Sequence, residues 1–371
     1  MEPLIEQGAQ PQLPAVGRRL MAVAKSFTTP HLPDDYLALL DPRWSLEEAV
    51  ATVERRIVEA EGVVTLVLRP SFPWPGHEAG QYVRVGAEIK GIRHWRAFTV
   101  TSDPGHPEGL VSITVQRVDG GLMSGHLTDD AACGVGARVW LGQVEGEFTM
   151  PPGPVGTPLL LISAGCGVTP IWAMVRELER RGALHDVVHL HSARDPSRFV
   201  FGRPLRELAG RTPGYALHEH HSGADGRLHR QDLDRLVPDW RDRQAFLSGP
   251  GEMLDDFERH WTEHGDPALL HLERFRPSIG LGGGIGEGGT VTFGVSRVSA
   301  EAEPGVSILV AGERAGAALP SGCRMGICHS CIGRLKQGQV QDLRTGLVHG
   351  EPGQPVRTCV NGPCGDIEIE L

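Results

Sequence analysis

The sequence predicts a multidomain fold in which an antiparallel β-barrel, a doubly wound α/β domain and a small α+β domain follow one another. Short β-branched runs recur about every ten residues in the first half of the chain. Apolar strands then alternate with amphipathic helices, and a cysteine-rich loop lies near the C-terminus. We expect an N-terminal extension at residues 1–50, domains at 51–152, 153–278 and 290–371, and a linker at 279–289.

Composition and charge exclude several classes of protein. The 371 residues carry a formal net charge of −10, which argues against nucleic-acid binding. Seven cysteines do not form a disulfide framework in a chain this long and indicate a reducing, cytoplasmic location. The N-terminus lacks a secretory signal, and the uncharged stretch 148–175 contains five prolines, so no transmembrane segment is predicted.

Six short runs rich in β-branched residues predict the strands of the barrel. They are residues 51–60, 63–70, 81–89, 94–102, 109–118 and 137–144. Gly, Pro and Asp turns separate them, as in antiparallel barrels and sandwiches. One helix is predicted after Gly120-Gly121. Upstream, residues 15–27 predict an amphipathic helix that packs on its own domain, with contact to a membrane surface as the alternative.

Alternating strands and helices predict a parallel sheet in the middle of the chain. Strands are expected at residues 159–163, 187–194 and 245–250, and helices at 171–182 and 252–265. Ligands of such sheets bind at the carboxyl ends of the strands.

The C-terminal part combines a glycine-rich segment with a cysteine cluster. Seven glycines between residues 280 and 289 favour a mobile linker that lets the last domain swing. Cys323, Cys328 and Cys331 have the spacing C-x4-C-x2-C, and Cys359 follows after 27 residues. This is the ligand spacing of a plant-type [2Fe-2S] cluster. A structural zinc site, which four cysteines also satisfy, is the alternative.

Four further motifs occur on predicted strands or directly after them. They are Arg96-Ala97-Phe98-Thr99, Gly120-Gly121 with Met123 and Ser124, Gly165-Cys166-Gly167-Val168-Thr169-Pro170, and Ser248-Gly249-Pro250 with Met253. A glycine-rich turn between a strand and a helix lets a pyrophosphate approach the backbone and the positive end of the helix. The third motif has this setting, which predicts a nicotinamide dinucleotide site.

With these motifs in this order, the chain resembles the ferredoxin–NADP reductase superfamily of flavoproteins with a C-terminal, β-grasp ferredoxin domain. The resemblance covers about residues 50–371. Within the superfamily the chain is most similar to reductases paired with stearoyl-CoA desaturases and related oxygenases. The barrel is then expected to bind flavin, and the α/β domain NAD(P)H.

The resemblance implies roles for individual residues. Arg96 would neutralise the flavin phosphates, Phe98 would pack beside the isoalloxazine with Ala97 next to it, and Thr99 would reach its N5 edge. Phe98 replaces the family's Tyr, and Thr99 its Ser. The phosphate loop would comprise Gly121, Met123 and Ser124, favouring FAD over FMN, and the rest of the flavin site would comprise Val115, Gln116 and Val118.

The resemblance also implies the nicotinamide site. The dinucleotide would lie on Gly165, Gly167, Thr169 and Pro170, with Gly249, Pro250 and Met253 beside the nicotinamide and Ser248 in place of the family's cysteine. Thr99, Thr169 and Ser248 are the expected catalytic residues. Ser192, Arg194 and Arg198 favour the 2′-phosphate of NADPH, and Asp195 in the same loop leaves NADH open.

These expectations combine into a reductase that passes electrons from NADPH through FAD and a [2Fe-2S] cluster to a protein acceptor such as an acyl-CoA desaturase. A cytochrome P450 or a Rieske-type aromatic oxygenase is the alternative acceptor. A redox-sensing flavoprotein with a zinc domain is the alternative of another class. A monomer is expected, cytoplasmic or peripheral to a membrane-bound partner. His218, His220 and His221 are expected to be surface residues without a metal.

Overall fold

The computed structural model describes residues 49–105, 108–150, 157–275, 287–321, 324, 326 and 331–371. The predicted helix at 15–27, most of the predicted linker, and Cys323 and Cys328 lie outside these residues.

The first domain is an antiparallel sheet of six strands with the order β4-β3-β6-β1-β2-β5. The strands are β1 (Val50–Ala60), β2 (Val63–Pro70), β3 (Tyr82–Ile89), β4 (Ile92–Thr99), β5 (Val111–Gln116) and β6 (Arg138–Glu145). Helix α1 (Leu122–Thr128) lies between β5 and β6. Alternate residues such as Val83 and Val85 point into one buried core, as period-2 patterning requires.

The second domain is a parallel sheet of five strands with the order β11-β10-β7-β8-β9. Its strands are β7 (Leu159–Ala164), β8 (Val187–Ala193), β9 (Tyr215–His221), β10 (Gln244–Ser248) and β11 (Leu270–Glu273), and its helices are α2 (Val168–Arg180), α3 (Gly202–Arg211), α4 (Ser222–Asp225), α5 (Leu233–Leu236) and α6 (Gly251–His264). After β7 the chain adds β8 and β9 on one side of that strand, and it then adds β10 and β11 on the other side. This reversal is a topological switch point, where such sheets bind ligands.

The apolar run of β7 is explained by helices on both faces of the sheet. Leu159 and Leu161 belong to the core that includes Val175 of α2. Leu160 and Ile162 belong to the opposite core, which includes Phe257 of α6. A strand covered on both faces has no polar side, as the sequence predicts.

The third domain combines a mixed sheet with one helix. The strands are β12 (Gly289–Phe293), β13 (Val298–Ala302), β14 (Ile332–Asp342), β15 (Val348–His349), β16 (Pro355–Arg357) and β17 (Asn361–Glu370), and the helix is α7 (Ile308–Arg314). The expected three-part fold class is confirmed. In the described part of the chain, no helix is both long and apolar enough to cross a membrane.

The last two residues of the predicted linker belong to this sheet. Gly288 forms a β-bridge with Cys364, and β12 begins at Gly289. A Cβ on Gly289 would lie 2.2 Å from Gly365 O, and its φ of +142° disfavours other residues. These glycines therefore permit close packing and do not lengthen the linker.

Strand β9 forms an edge of the parallel sheet and carries the histidine cluster. His218, His220 and His221 are half-buried, not on the open surface as expected, because α3 before the strand and α4 after it pack against β9. The patterns of α3 and β11 were too short or too polar to be recognised in the sequence.

Close contacts that involve the side chains of α2 join the first two domains. A Cβ on Gly80 would lie 2.0 Å from Phe148 O and 2.9 Å from Met174 Cε, so this glycine lets the barrel approach α2. Arg176 donates to Thr101 O at 3.3 Å, and Arg180 pairs with Asp103 at 3.3 Å. The carboxyl ends of β7 and β10 consequently lie beside the barrel.

Candidate electron-transfer site

A cavity of about 530 Å³ opens at the carboxyl ends of β7 and β8. Its lining includes seven of the predicted site residues, namely Gln116, Gly165, Ser192, Arg194, Arg198, Pro250 and Met253. They come from four separate stretches of sequence. The size and the position at the switch point are suited to a dinucleotide.

The predicted G-x-G turn packs directly on the end of β10. Gly165 has a φ of +53°, and a Cβ on Gly167 would lie 2.1 Å from Ser248 O. Glycine is thus required at both positions, in one case by the backbone conformation and in the other by the close approach. The two nicotinamide motifs predicted separately, Gly165–Pro170 and Ser248–Pro250, are in contact.

Three buried hydroxyls lie near the junction of the domains. Thr169 Oγ1 lies 2.9 Å from Cys166 O and 3.2 Å from Thr99 Oγ1. Its single hydrogen can donate to only one of them at a time. When Thr169 donates to Thr99, the hydroxyl hydrogen of Thr99 is free to donate to a ligand. Ser248 is fully buried, and its Oγ has no hydrogen-bond partner among the described residues.

The cavity wall at the end of β8 is rich in arginine. Arg198 pairs with Glu61 at 3.2 Å and Asp195 at 3.7 Å, and Arg227 pairs with Glu252. The exposed Arg194 guanidinium has no hydrogen bond or ion pair within the described ranges. Of the two arginines predicted for the 2′-phosphate, Arg194 is therefore the one available to bind it. Arg227 was not recognised in the sequence because it lies in a polar loop.

The predicted flavin residues differ in what their side chains contact. Phe98 is half-buried against the barrel core, and Arg96 donates to Trp95 O at 2.8 Å. Val115 is fully buried in that core, whereas Val118 is 46% exposed. Ala97 lies between Phe98 and Arg96 on β4, at the edge of the sheet.

The predicted phosphate loop is compact. Gly121 N–H donates to Val118 O at 2.8 Å, and Val118 N–H donates to Ser124 Oγ at 3.1 Å. A Cβ on Gly121 would lie 2.5 Å from Ser124 Oγ. Met123 fixes the helix behind the loop by burial in the barrel core. These contacts explain why glycine and serine occur at these positions.

Glu273 is a candidate site residue that sequence reasoning missed. It is the residue opposite Ser248 in the pairing of β10 with β11. Burial raises the pKa of its carboxyl to about 7. A carboxyl that changes charge near neutral pH is typical of functional sites. The short strand Leu270–Glu273 could have been recognised only from its position after α6.

Two of the four predicted cluster ligands meet in the third domain. Cys331 Sγ and Cys359 Sγ lie 3.1 Å apart, and both cysteines are buried. Arg357 Nη1 donates to Gly326 O at 2.7 Å and so ties the cysteine loop to the strand before Cys359. Paired, buried sulfur donors fit an iron–sulfur cluster as they would fit zinc.

Comparisons with known proteins decide between these metals. Residues 292–363 match the domain family described as 2Fe-2S iron-sulfur cluster binding domain, and residues 63–143 match the oxidoreductase FAD-binding domain. The chain is 40% identical over 355 residues to an NADPH oxidoreductase of Mycobacterium tuberculosis, covering 95% of this chain and 92% of that one. This chain belongs to the ferredoxin–NADP reductase superfamily.

Other members of the superfamily are similar along much of the chain. The glycine betaine monooxygenase reductase subunit of Pseudomonas aeruginosa is 28% identical over 328 residues, covering 78% of this chain and 86% of that one. The solved structure of phthalate dioxygenase reductase has the same fold, with a TM-score of 0.61, 23% identity, and coverage of 87% of this chain and 97% of that one.

The chain is therefore an NAD(P)H-dependent reductase with FAD and a [2Fe-2S] cluster. The described residues fit these groups. Glycines whose Cβ atoms would clash form the turns of the dinucleotide and phosphate loops, and two buried thiols meet in the cluster domain.

Proposed function

We propose that this reductase takes electrons from NADPH in preference to NADH and delivers them to an oxygenase. The cavity at the end of β8 is the observation on which the cofactor preference depends. A 2′-phosphate dianion is bound best by cations and hydroxyl donors, and Arg194 and Ser192 supply both there. The relative from Mycobacterium tuberculosis is named as an NADPH oxidoreductase, which agrees with this preference.

Bound FAD and the cluster supply the redox chemistry, because a flavin exchanges electrons in pairs or singly and an iron–sulfur centre exchanges them singly. The residues of the chain place the reactants. Gly165 and Gly167 let the pyrophosphate of the dinucleotide approach the protein backbone at the end of β7. Ser248 is positioned to donate to the nicotinamide carboxamide. Thr99 is positioned to donate its hydroxyl hydrogen to the flavin when Thr169 donates to Thr99.

Replacing Arg194 tests the cofactor preference. For Arg194→Gln we expect kcat/KM for NADPH to fall about tenfold to a hundredfold, the effect of one lost charge-assisted contact, while kcat/KM for NADH changes little. Arg198→Gln is the matched control, because Arg198 already pairs with Glu61 and Asp195 and should change the ratio less. Equal loss with both cofactors in Arg194→Gln would contradict the assignment.

The acceptor is proposed from the relatives, several of which are named as reductase components of oxygenases. NADPH-driven turnover should be measured with a Rieske-type oxygenase, a cytochrome P450 and an acyl-CoA desaturase in parallel. We expect the highest rate with an oxygenase. The desaturase expected from the resemblance stays a prediction, and a rate highest with that protein would reverse our proposal for the acceptor.

A further inference from the structure

A hydrogen bond links the dinucleotide cavity to the edge strand behind it. Ser192 Oγ and His220 Nδ1 lie 3.0 Å apart, on residues paired in register between β8 and β9. Ser192 lines the dinucleotide cavity and is only 8% exposed. His220 lines a second, adjacent cavity of about 510 Å³, which shares Leu228 with the first. The imidazole therefore contacts Ser192 but is not itself one of the residues that line the dinucleotide cavity.

The second cavity is acidic. Asp225 and Asp232 line it, as does Glu219, and its basic groups besides His220 are His218 and Arg235. Arg206 binds Glu219, and Arg235 binds Asp232 at 3.3 Å. Burial acts to raise the pKa of Asp232, but hydrogen bonds from the His229 N–H and Arg235, with the charges of Arg235 and His220, outweigh it and leave the pKa lowered.

The acidic residues of this cavity favour a proton on Nε2, the imidazole nitrogen that does not face Ser192. A negative potential favours an N–H there over a bare nitrogen lone pair. The variable proton is then the one on Nδ1, which faces Ser192. The titratable and charged groups of the dinucleotide cavity are Arg194, Arg198, Arg227, His229, Glu252 and Asp256, and Arg227 is paired with Glu252.

The proton on Nδ1 decides what Ser192 can offer a ligand. When Nδ1 is bare, Ser192 must donate its only hydrogen to His220, and only oxygen lone pairs face the cavity. When Nδ1 is protonated, His220 donates to Ser192 Oγ, and the serine hydrogen is free to donate into the cavity. A 2′-phosphate requires donors, whereas a 2′-hydroxyl is satisfied by an acceptor.

We propose that His220 is a positioning residue for cofactor choice, in that protonated His220 turns Ser192 into a donor for the 2′-phosphate and strengthens the preference for NADPH as pH falls. This inference rests on the proposed NADPH preference and adds the residue that regulates it.

The experiment compares two fragments of the cofactor that differ only at the 2′ position. Binding of 2′,5′-ADP and of 5′-AMP to the holoenzyme is measured by calorimetry at pH 6.5 and pH 8.5. In the unmodified protein we expect the preference for 2′,5′-ADP to fall about fivefold between these pH values, as a charge-assisted hydrogen bond is lost. In His220→Gln, whose amide does not titrate, this change should largely disappear.

His218→Gln is the matched control. His218 lines the same cavity two residues away on β9 and makes no hydrogen bond to Ser192. We expect it to keep the pH dependence of the unmodified protein. As a second readout, calorimetry at pH 7 in buffers of different ionisation enthalpy should show more proton uptake in the unmodified protein than in His220→Gln when 2′,5′-ADP binds.

The possible failures are distinguishable. If the preference for 2′,5′-ADP changes equally with pH in the unmodified protein and in His220→Gln, the role of His220 is refuted and the NADPH preference stands. If 2′,5′-ADP binds no more tightly than 5′-AMP at either pH, the proposed NADPH preference is refuted and the role of His220 with it. If His218→Gln loses the pH dependence as His220→Gln does, the effect belongs to the cavity as a whole and the role of His220 is overturned.

Discussion

Replacing Gly167 with alanine should separate the two nicotinamide motifs. The added Cβ would lie 2.1 Å from Ser248 O, 2.4 Å from Ser248 C and 2.7 Å from Gly249 N. All three atoms are backbone, so no side chain can rotate out of the way. Since such contacts normally exceed about 3 Å, the turn and the end of β10 must move apart by about 1 Å.

That displacement has two measurable consequences. Overpacking of this kind costs about 1–3 kcal/mol, and a backbone clash belongs at the upper end of that range. For a domain of this size the cost corresponds to a decrease of roughly 10 °C in Tm. A displacement of about 1 Å between reacting groups can slow a reaction by about a hundredfold. We therefore expect slow hydride transfer from NADPH as well as reduced stability.

Stopped-flow absorbance of flavin reduction, with thermal unfolding of the same samples, measures both. Gly210→Ala is the matched control, because a Cβ on Gly210, which lies within α3, meets no atom within 4 Å. Alanine in a helix should leave the rate unchanged and raise stability slightly. If Gly167→Ala reduced the flavin at the unmodified rate, the close packing of these motifs would not be needed for catalysis.

Two other predictions concern charge and metal. Burial holds the pKa of Glu273 at about 7, above its ordinary value of 4.5, so the folded protein keeps a proton that the unfolded chain loses, and stability falls as pH rises between these values. Between pH 5 and pH 8 this fall amounts to about 2.5 kcal/mol, and Glu273→Gln should remove it in urea unfolding at the two pH values; an unchanged pH dependence would contradict the assignment. Cys359→Ser should abolish iron content and the visible cluster absorption, whereas Cys364→Ser should preserve both; iron retained without Cys359 would exclude it as a ligand.

The elements with strong periodicity could be predicted from the sequence. The strand Leu159–Ala164 is apolar apart from Ser163 because helices cover both of its faces, and Val63–Pro70 was predicted with its observed bounds. Strand β9 has the polar pattern of a sheet edge, where tertiary contacts and not periodicity decide the structure. Its histidines were assigned to the surface because α3 and α4, which pack against the strand, lie elsewhere in the chain.

The candidate site was predictable in its motifs but not in its pairings. Spacing identified Gly165 and Gly167, yet nothing in the sequence shows that Gly167 must be glycine because of Ser248 O. Arg194 and Arg198 look alike in the sequence, and only the positions of Glu61 and Asp195 distinguish the paired arginine from the available one. Contacts between residues far apart in sequence carry this information, and local patterns do not record them.

The Ser248 hydroxyl, which has no hydrogen-bond partner among the residues that the structure describes, connects stability with function. A buried polar group without a partner costs about 1–3 kcal/mol, so a fully buried Ser248 should be replaced by alanine with little loss or even a gain in stability. Ser248 lies at the end of β10 beside the G-x-G turn, where the nicotinamide carboxamide is expected. A ligand that accepts its hydrogen would satisfy the hydroxyl only in the complex. The cost in the free protein then favours cofactor binding, which explains why a polar residue occurs at this buried position.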